Sequence, residues 1–293
     1  MPQQNEFNFD DYSPTDMTAR VEQTAKRKAS LHWISLLMLS ILAGSFIAIG
    51  AEFFTLAVFD STLSIGFTRI IGGICFSIGL ILVVIAGGEL FTGNTLLMIG
   101  FASGTVTYKQ VLKNWSVSYL GNFVGAMGLV SLVFISDLWK MKSFAMGIKI
   151  VQIAADKTNL TFLQGFSRGI LCNVLVCLAV WMCFSARSVI SKIAAIVFPI
   201  TAFVALSFEH SIANMYFIPM GLMIKNNPDI IAGIAKNLPE LNMSHLNIMG
   251  FLGNLLSVTL GNIIGGAIMV GFVYWMIFVL PGKLKKEKKP DTE

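Results

Sequence analysis

The chain alternates between long apolar runs and short polar joints, and the runs decide the architecture. Hydrophobic stretches cover about 31–57, 65–90, 111–136, 162–184, 189–224 and 250–280. An apolar helix of roughly 20 residues crosses the hydrocarbon core of a bilayer, so each stretch reads as a membrane span. The fifth is too long for one straight crossing and carries Glu209 and His210 in its middle. It reads as a broken helix, and the whole pattern as an all-α integral membrane protein with six transmembrane helices.

Two polar interruptions share a skeleton. "GGELFTGN" (87–94) and "SFEHSIAN" (207–214) each place an acid five residues before an asparagine, Glu89 with Asn94 and Glu209 with Asn214. Downstream, Asn114 precedes Leu-Gly-Asn ending at Asn122, and Asn254 precedes Leu-Gly-Asn ending at Asn262. Both motifs run on into a G-x-x-x-G pair, Gly121/Gly125 and Gly261/Gly265. "ILAG" (41–44) and "ILCN" (170–173) are a fainter echo. The chain is therefore two three-helix halves, and an odd number of spans per half inverts the second relative to the first.

Helices 2 and 5 are the broken ones in this scheme. A break at membrane depth frees N–H and C=O groups, each costing several kcal/mol unless protein or water binds it. Glu89, Thr92, Asn94, Glu209, Ser211 and Asn214 are residue types that can supply those bonds, and Gly87, Gly88 and Gly93 supply turn freedom. The two half-helix N-termini present free N–H donors and partial positive charge, which favours an anion. Glu89 and Glu209 are read as caps, because a bare carboxylate facing the passage repels that anion.

Composition agrees with lipid as the main solvent: 55% of the 293 residues are hydrophobic and 13% charged, where soluble domains carry about 25% charged residues. The first thirty residues are polar and mixed in charge, with no signal-peptide core. Ser13 and Pro14 cap an amphipathic helix expected to lie on the membrane surface. The cations flank the spans: Arg20, Lys26, Arg27 and Lys28; Lys109 and Lys113; Arg187 and Lys192; Lys283, Lys285, Lys286, Lys288 and Lys289. That distribution places both termini in the cytoplasm and argues against a nucleic-acid partner. The organisation expected is a cytoplasmic N-terminal segment (1–30), a six-span channel domain (31–282) and a basic cytoplasmic tail (283–293). Cys75, Cys172, Cys177 and Cys183 lie inside apolar stretches without zinc-like spacing. No metal, cofactor or enzymatic constellation is expected.

At "GGELFTGN", "GILCNVLVCLAVWM", "SFEHSIANM" and "LGNIIGG" the sequence resembles the formate–nitrite transporter family over essentially its whole length. The resemblance implies a homopentamer of aquaporin-like protomers in the bacterial cytoplasmic (inner) membrane. It implies passage of a small monovalent anion (formate, or else nitrite or hydrosulfide) together with protons. By the same resemblance His210 is the central histidine and Thr92 its hydrogen-bond partner. Leu90 forms the inner constriction, and Phe76, Leu80 and Phe203 the outer one. Lys157 is the vestibule lysine, and Asn173 and Asn262 are polar pathway groups. Two departures stand out: "KTNLTF" keeps Lys157, Thr161 and Phe162 without the family's intervening histidines, and Leu206, Ser207 and Phe208 replace a small residue and glycine before the Glu-His pair. On this reading an arriving weak-acid anion either takes a proton and crosses as the neutral acid, or passes as an anion held by His210. The competing class is an aquaporin-type pore for neutral solutes, which the inverted repeat fits but which lacks the paired Asn-Pro-Ala signature.

Overall fold

The computed structural model describes residues 12–287, with side chains as far as 284. The described residues form helices and no strand: α1 (Pro14–Ala29), α2 (Trp33–Val58), α3 (Ile65–Gly87), α4 (Phe91–Ala102), α5 (Tyr108–Ile135), α6 (Ala145–Thr158), α7 (Phe162–Ser185), α8 (Val189–Ala205), α9 (Ser211–Ile224), α10 (Pro228–Asn237) and α11 (Ile248–Leu284). Helices α2, α3, α5, α7 and α11 are long and apolar enough to cross a bilayer, whereas α8 and α9 are too short singly. They meet end to end at the second polar interruption, as α3 and α4 do at the first.

The N-terminal helix departs from the expected surface helix. Ser13 Oγ accepts from the Asp16 amide, and Lys26, Arg27 and Lys28 occupy the last turn, as a good cap and a favourable dipole require. Its apolar side, Met17, Val21, Ala25 and Ala29, is buried against α4, α5, α7 and α11. Burying that stripe docks α1, which ends at Ala29 beside the expected boundary, into the bundle. At the expected division at 283 the chain is helical, its last segment running over Leu280–Glu287, and the Lys283 ammonium donates to the Ser103 carbonyl. Residues 1–11 of the N-terminal segment, and Lys288 and Lys289 of the tail, lie outside the described residues.

The two halves repeat each other helix by helix, and the repeat is longer than the spans. Helix α5 packs on α2 as α11 packs on α7, and α6 packs on α9 as α1 packs on α4. The G-x-x-x-G pairs make the first contact possible. A Cβ on Gly125 would lie 1.9 Å from the Ile41 carbonyl oxygen, and one on Gly265 would lie 2.3 Å from that of Ile170. Tyr119 and Thr259, which occupy equivalent positions, bond to each other at 3.0 Å and so mark the pseudo-two-fold axis. Apolar side chains such as Met38, Leu42, Leu120, Val124, Leu252 and Leu256 stay exposed on the outer faces of α2, α5 and α11, as lipid- or subunit-facing surfaces do.

Candidate permeation pathway

Both breaks are turned by a residue in the left-handed region, Gly87 at φ 97° and Ser207 at φ 56°. Their freed backbone groups are held from the neighbouring spans. Asn122 Oδ1 accepts from the Phe91 amide at 2.9 Å, while its Nδ2 donates to the carbonyls of Ser40 (2.7 Å) and Glu89 (3.0 Å). Asn262 does the same for the second break: Oδ1 accepts from Ser211 N–H at 2.9 Å, and Nδ2 donates to Gly169 (2.8 Å) and Glu209 (3.0 Å) carbonyls. A carboxamide offers acceptor and donor together, which an ionised carboxylate does not. Three expectations are corrected here. Asn262 is a clasp behind the break and not a pathway-lining group. Ser211 Oγ finds no partner among the described residues. Gly93 lies within α4, where a Cβ would meet nothing closer than 3.8 Å, so it is not a turn residue.

The glutamates, read as caps, are partners of lysines. Glu89 Oε2 receives Lys28 Nζ at 3.1 Å and Asn94 Nδ2 at 2.8 Å, and Asn94 Oδ1 accepts from the same ammonium at 2.8 Å. Glu209 receives Lys157 Nζ at 3.0 and 3.2 Å on its two oxygens, with Asn214 Nδ2 at 2.7 Å. Asn94 and Asn214 tie each cluster to Asn114 and Asn254 at 2.8 and 2.7 Å. Each charge is thereby compensated, and the carboxylates are turned onto cations. Lys157, on the last turn of α6, is held as an ion pair.

Between the breaks, Thr92 Oγ1 and His210 Nε2 meet at 2.9 Å. His210 Nδ1 accepts from the Ala213 amide at 3.1 Å, capping α9. A neutral ring with Nδ1 occupied as acceptor carries its proton on Nε2, which therefore donates to Thr92. The ring borders a chamber of about 10 Å³ whose other walls include Leu80, Leu90, Phe76 and Phe203, close to the least volume that holds one water. Phe76 and Phe203 pack edge to face at 5.5 Å, and Phe203 stacks on the imidazole at 6.0 Å. On the α1 side lies a vestibule of about 700 Å³ that ends at Leu80 and Leu90. Leu80 and Leu90 line both the vestibule and the chamber, whereas Phe76 and Phe203 line the chamber alone. Asn173 sits behind the first break, its Nδ2 donating to the carbonyls of Thr92 (3.2 Å) and Asn262 (2.7 Å).

Sequence reading did not find the clasping role of Asn122 or the counterpart of Lys157 at the near mouth, Lys28. A signal existed for the second: Lys28 stands as far before Ile41 as Lys157 before Ile170. Extending the repeat upstream of the spans exposes it.

Comparison with known proteins finds similarity both in sequence and in fold. The sequence profile described as Formate/nitrite transporter matches residues 15–276. The formate channel FocA of Escherichia coli K12 is 42% identical over 275 residues, covering 92% of this chain and 96% of that protein. FocA of Haemophilus influenzae is 38% identical over 263 residues, covering 88% and 92%. A solved structure described as a pentameric formate channel with formate bound aligns with a TM-score of 0.77 at 40% identity, covering 84% of this chain and 98% of that one. A second, described as an FNT family ion channel, aligns at 0.76 and 30% identity, covering 90% and 99%.

Proposed function

The chain belongs to the formate/nitrite transporter family, and we infer that it is a membrane channel for small monovalent weak-acid anions, formate foremost. The observation that carries this reading is the narrow chamber of about 10 Å³ beside two half-helix N-termini, bordered by His210 and by Leu80, Leu90, Phe76 and Phe203. At that size it holds about one water and admits an anion only as the collars move, and His210, its polar lining residue, presents an N–H donor. Nitrite and hydrosulfide meet the same two conditions and are the alternatives within the family.

Dehydrating an anion is the main barrier, tens of kcal/mol in the idealised limit. The positive vestibule raises the local anion concentration before that step. Past Leu90, the Nε2–H of His210 turns from Thr92 to the anion, and the N-termini of α4 and α9 supply positive potential. A second proton on the ring would occupy Nδ1 and displace the Ala213 cap, so the cap favours passage as an anion held by Nε2–H. Passage as the neutral acid, after the anion takes a proton, remains the competing route. We place the α1 mouth in the cytoplasm of a bacterial inner membrane, because Lys113 and Lys192 cluster there with the α1 cations. Five protomers, each with its own pathway, cover the apolar faces that are not lipid-facing.

Purified protein in liposomes tests this. Labelled formate is expected to equilibrate rapidly with wild type and far more slowly with His210→Asn. Equal rates and equal pH dependence would remove His210 from the mechanism. Fast osmotic swelling without formate flux would favour the neutral-solute pore.

A further inference from the structure

The near vestibule is far larger than the inner chamber, about 700 Å³ against about 10 Å³. Arg20, Arg27 and Lys28 line it from α1, and Lys192 faces them from the first turn of α8. Lys28 is matched by Glu89, the one carboxylate among the described lining residues. Arg20 lies over the Tyr12 ring at 3.9 Å, and among the described residues Arg20, Arg27 and Lys192 make no ion pair. The far mouth is built differently. In the repeat, Lys149 stands where α1 has Arg20, Asp156 where it has Arg27, and Lys157 where it has Lys28. Asp156 thus puts a carboxylate near Lys149 and Lys157 on α6, at the position where α1 carries the cation Arg27.

Drawing a monoanion towards a collar needs only a diffuse positive potential. Three cations without an ion pair among the described residues, around one cavity of ligand size, do more. They offer charge-assisted hydrogen bonds, bidentate from the arginines, to several carboxylate or phosphate groups at once. An anion held this way goes no further, because Leu80 and Leu90 close the vestibule and dehydration cost grows steeply with charge. We propose that the near vestibule is an inhibitory site for small organic anions carrying two or more charges, polycarboxylates or phosphate esters, which lodge beneath the collar and stop flux from that side. The proposal rests on reading the cavity as the mouth of an anion pathway.

Calorimetric titration of the full-length protein in detergent, at constant ionic strength, tests the site without reference to transport. Citrate and glycerol 3-phosphate represent the two chemistries, and acetate is the monovalent comparison. Saturable binding of citrate, glycerol 3-phosphate or both, with none for acetate, is expected. Arg20→Gln combined with Arg27→Gln is expected to weaken it by about tenfold or more, the loss of a charge-assisted contact. In liposomes of known protein orientation, citrate on the α1 side is expected to slow formate flux, citrate on the far side to leave it unchanged, and the double variant to lose the block relative to its own uninhibited rate. No saturable binding by either polyanion, or equal affinity in the double variant, overturns the proposal. Absent formate flux in every sample counts against the channel reading instead, and the calorimetry then decides the site alone.

Discussion

Glu209 and Lys157 differ in how far each reaches water, and the difference sets the outcome of removing either. The Glu209 side chain is 4% exposed and that of Lys157 15%. Lys157→Met leaves a buried carboxylate with Asn214 alone, a loss of about 3 kcal/mol for a desolvated pair. Glu209→Gln keeps an amide acceptor for Asn214 and frees a lysine able to turn to solvent, so a smaller loss is expected. Thermal scanning in detergent should show Lys157→Met melting well below Glu209→Gln; the reverse order would mean that the carboxylate tolerates isolation. The spacing of Glu209 and Asn214 was legible in the sequence, but the ownership of Glu209 was not, because its partner lies 52 residues away. Glu52 shows the same limit. It passes as a stray acid in the first apolar stretch until folding sets its Oε2 2.5 Å from the hydroxyl of Tyr216.

At the scale of an element, the breaks were the most legible feature and their supports the least. Polar residues inside an apolar run announce a break, whereas the groups that hold it come from Asn122 and Asn262 on other helices, whose motif showed only as a repeat. The turns themselves differ in cost. A side chain in the left-handed region is disfavoured by about 1 kcal/mol, so Ser207→Gly is expected to stabilise the protein by up to that amount, less the entropy gained by the unfolded glycine. Gly87→Ala should destabilise it by about 1 kcal/mol through the backbone alone, since a Cβ there meets nothing within 4 Å. Paired melting curves of the two variants check both signs, and a stabilised Gly87→Ala would contradict the strain argument. Before the Glu-His pair, serine adopts the positive φ that glycine serves in the first half.

For the whole molecule, the span pattern and the inverted repeat followed from hydrophobic periodicity, while the docking of α1 did not. A basic amphipathic helix reads alike whether its apolar stripe meets lipid or protein. Here Ala25 and Ala29 form one cluster with Leu97, Val106 and Val111, and Lys28 compensates Glu89. A chain beginning at residue 30 is therefore expected to melt at markedly lower temperature and to elute partly aggregated in size-exclusion chromatography. Unchanged melting would return α1 to the membrane surface. The repeat also has a consequence at its centre. Leu90 and His210 directly follow Glu89 and Glu209 and so are twins by position, one a waxy plug and the other a proton-bearing ring. Two copies of the first half would make a stopper with no chemistry inside it, and two copies of the second would set imidazole against imidazole. The working passage exists because a duplicated blueprint diverged at its centre, His210 standing where the first half has Leu90 and Ile212 where it has Thr92.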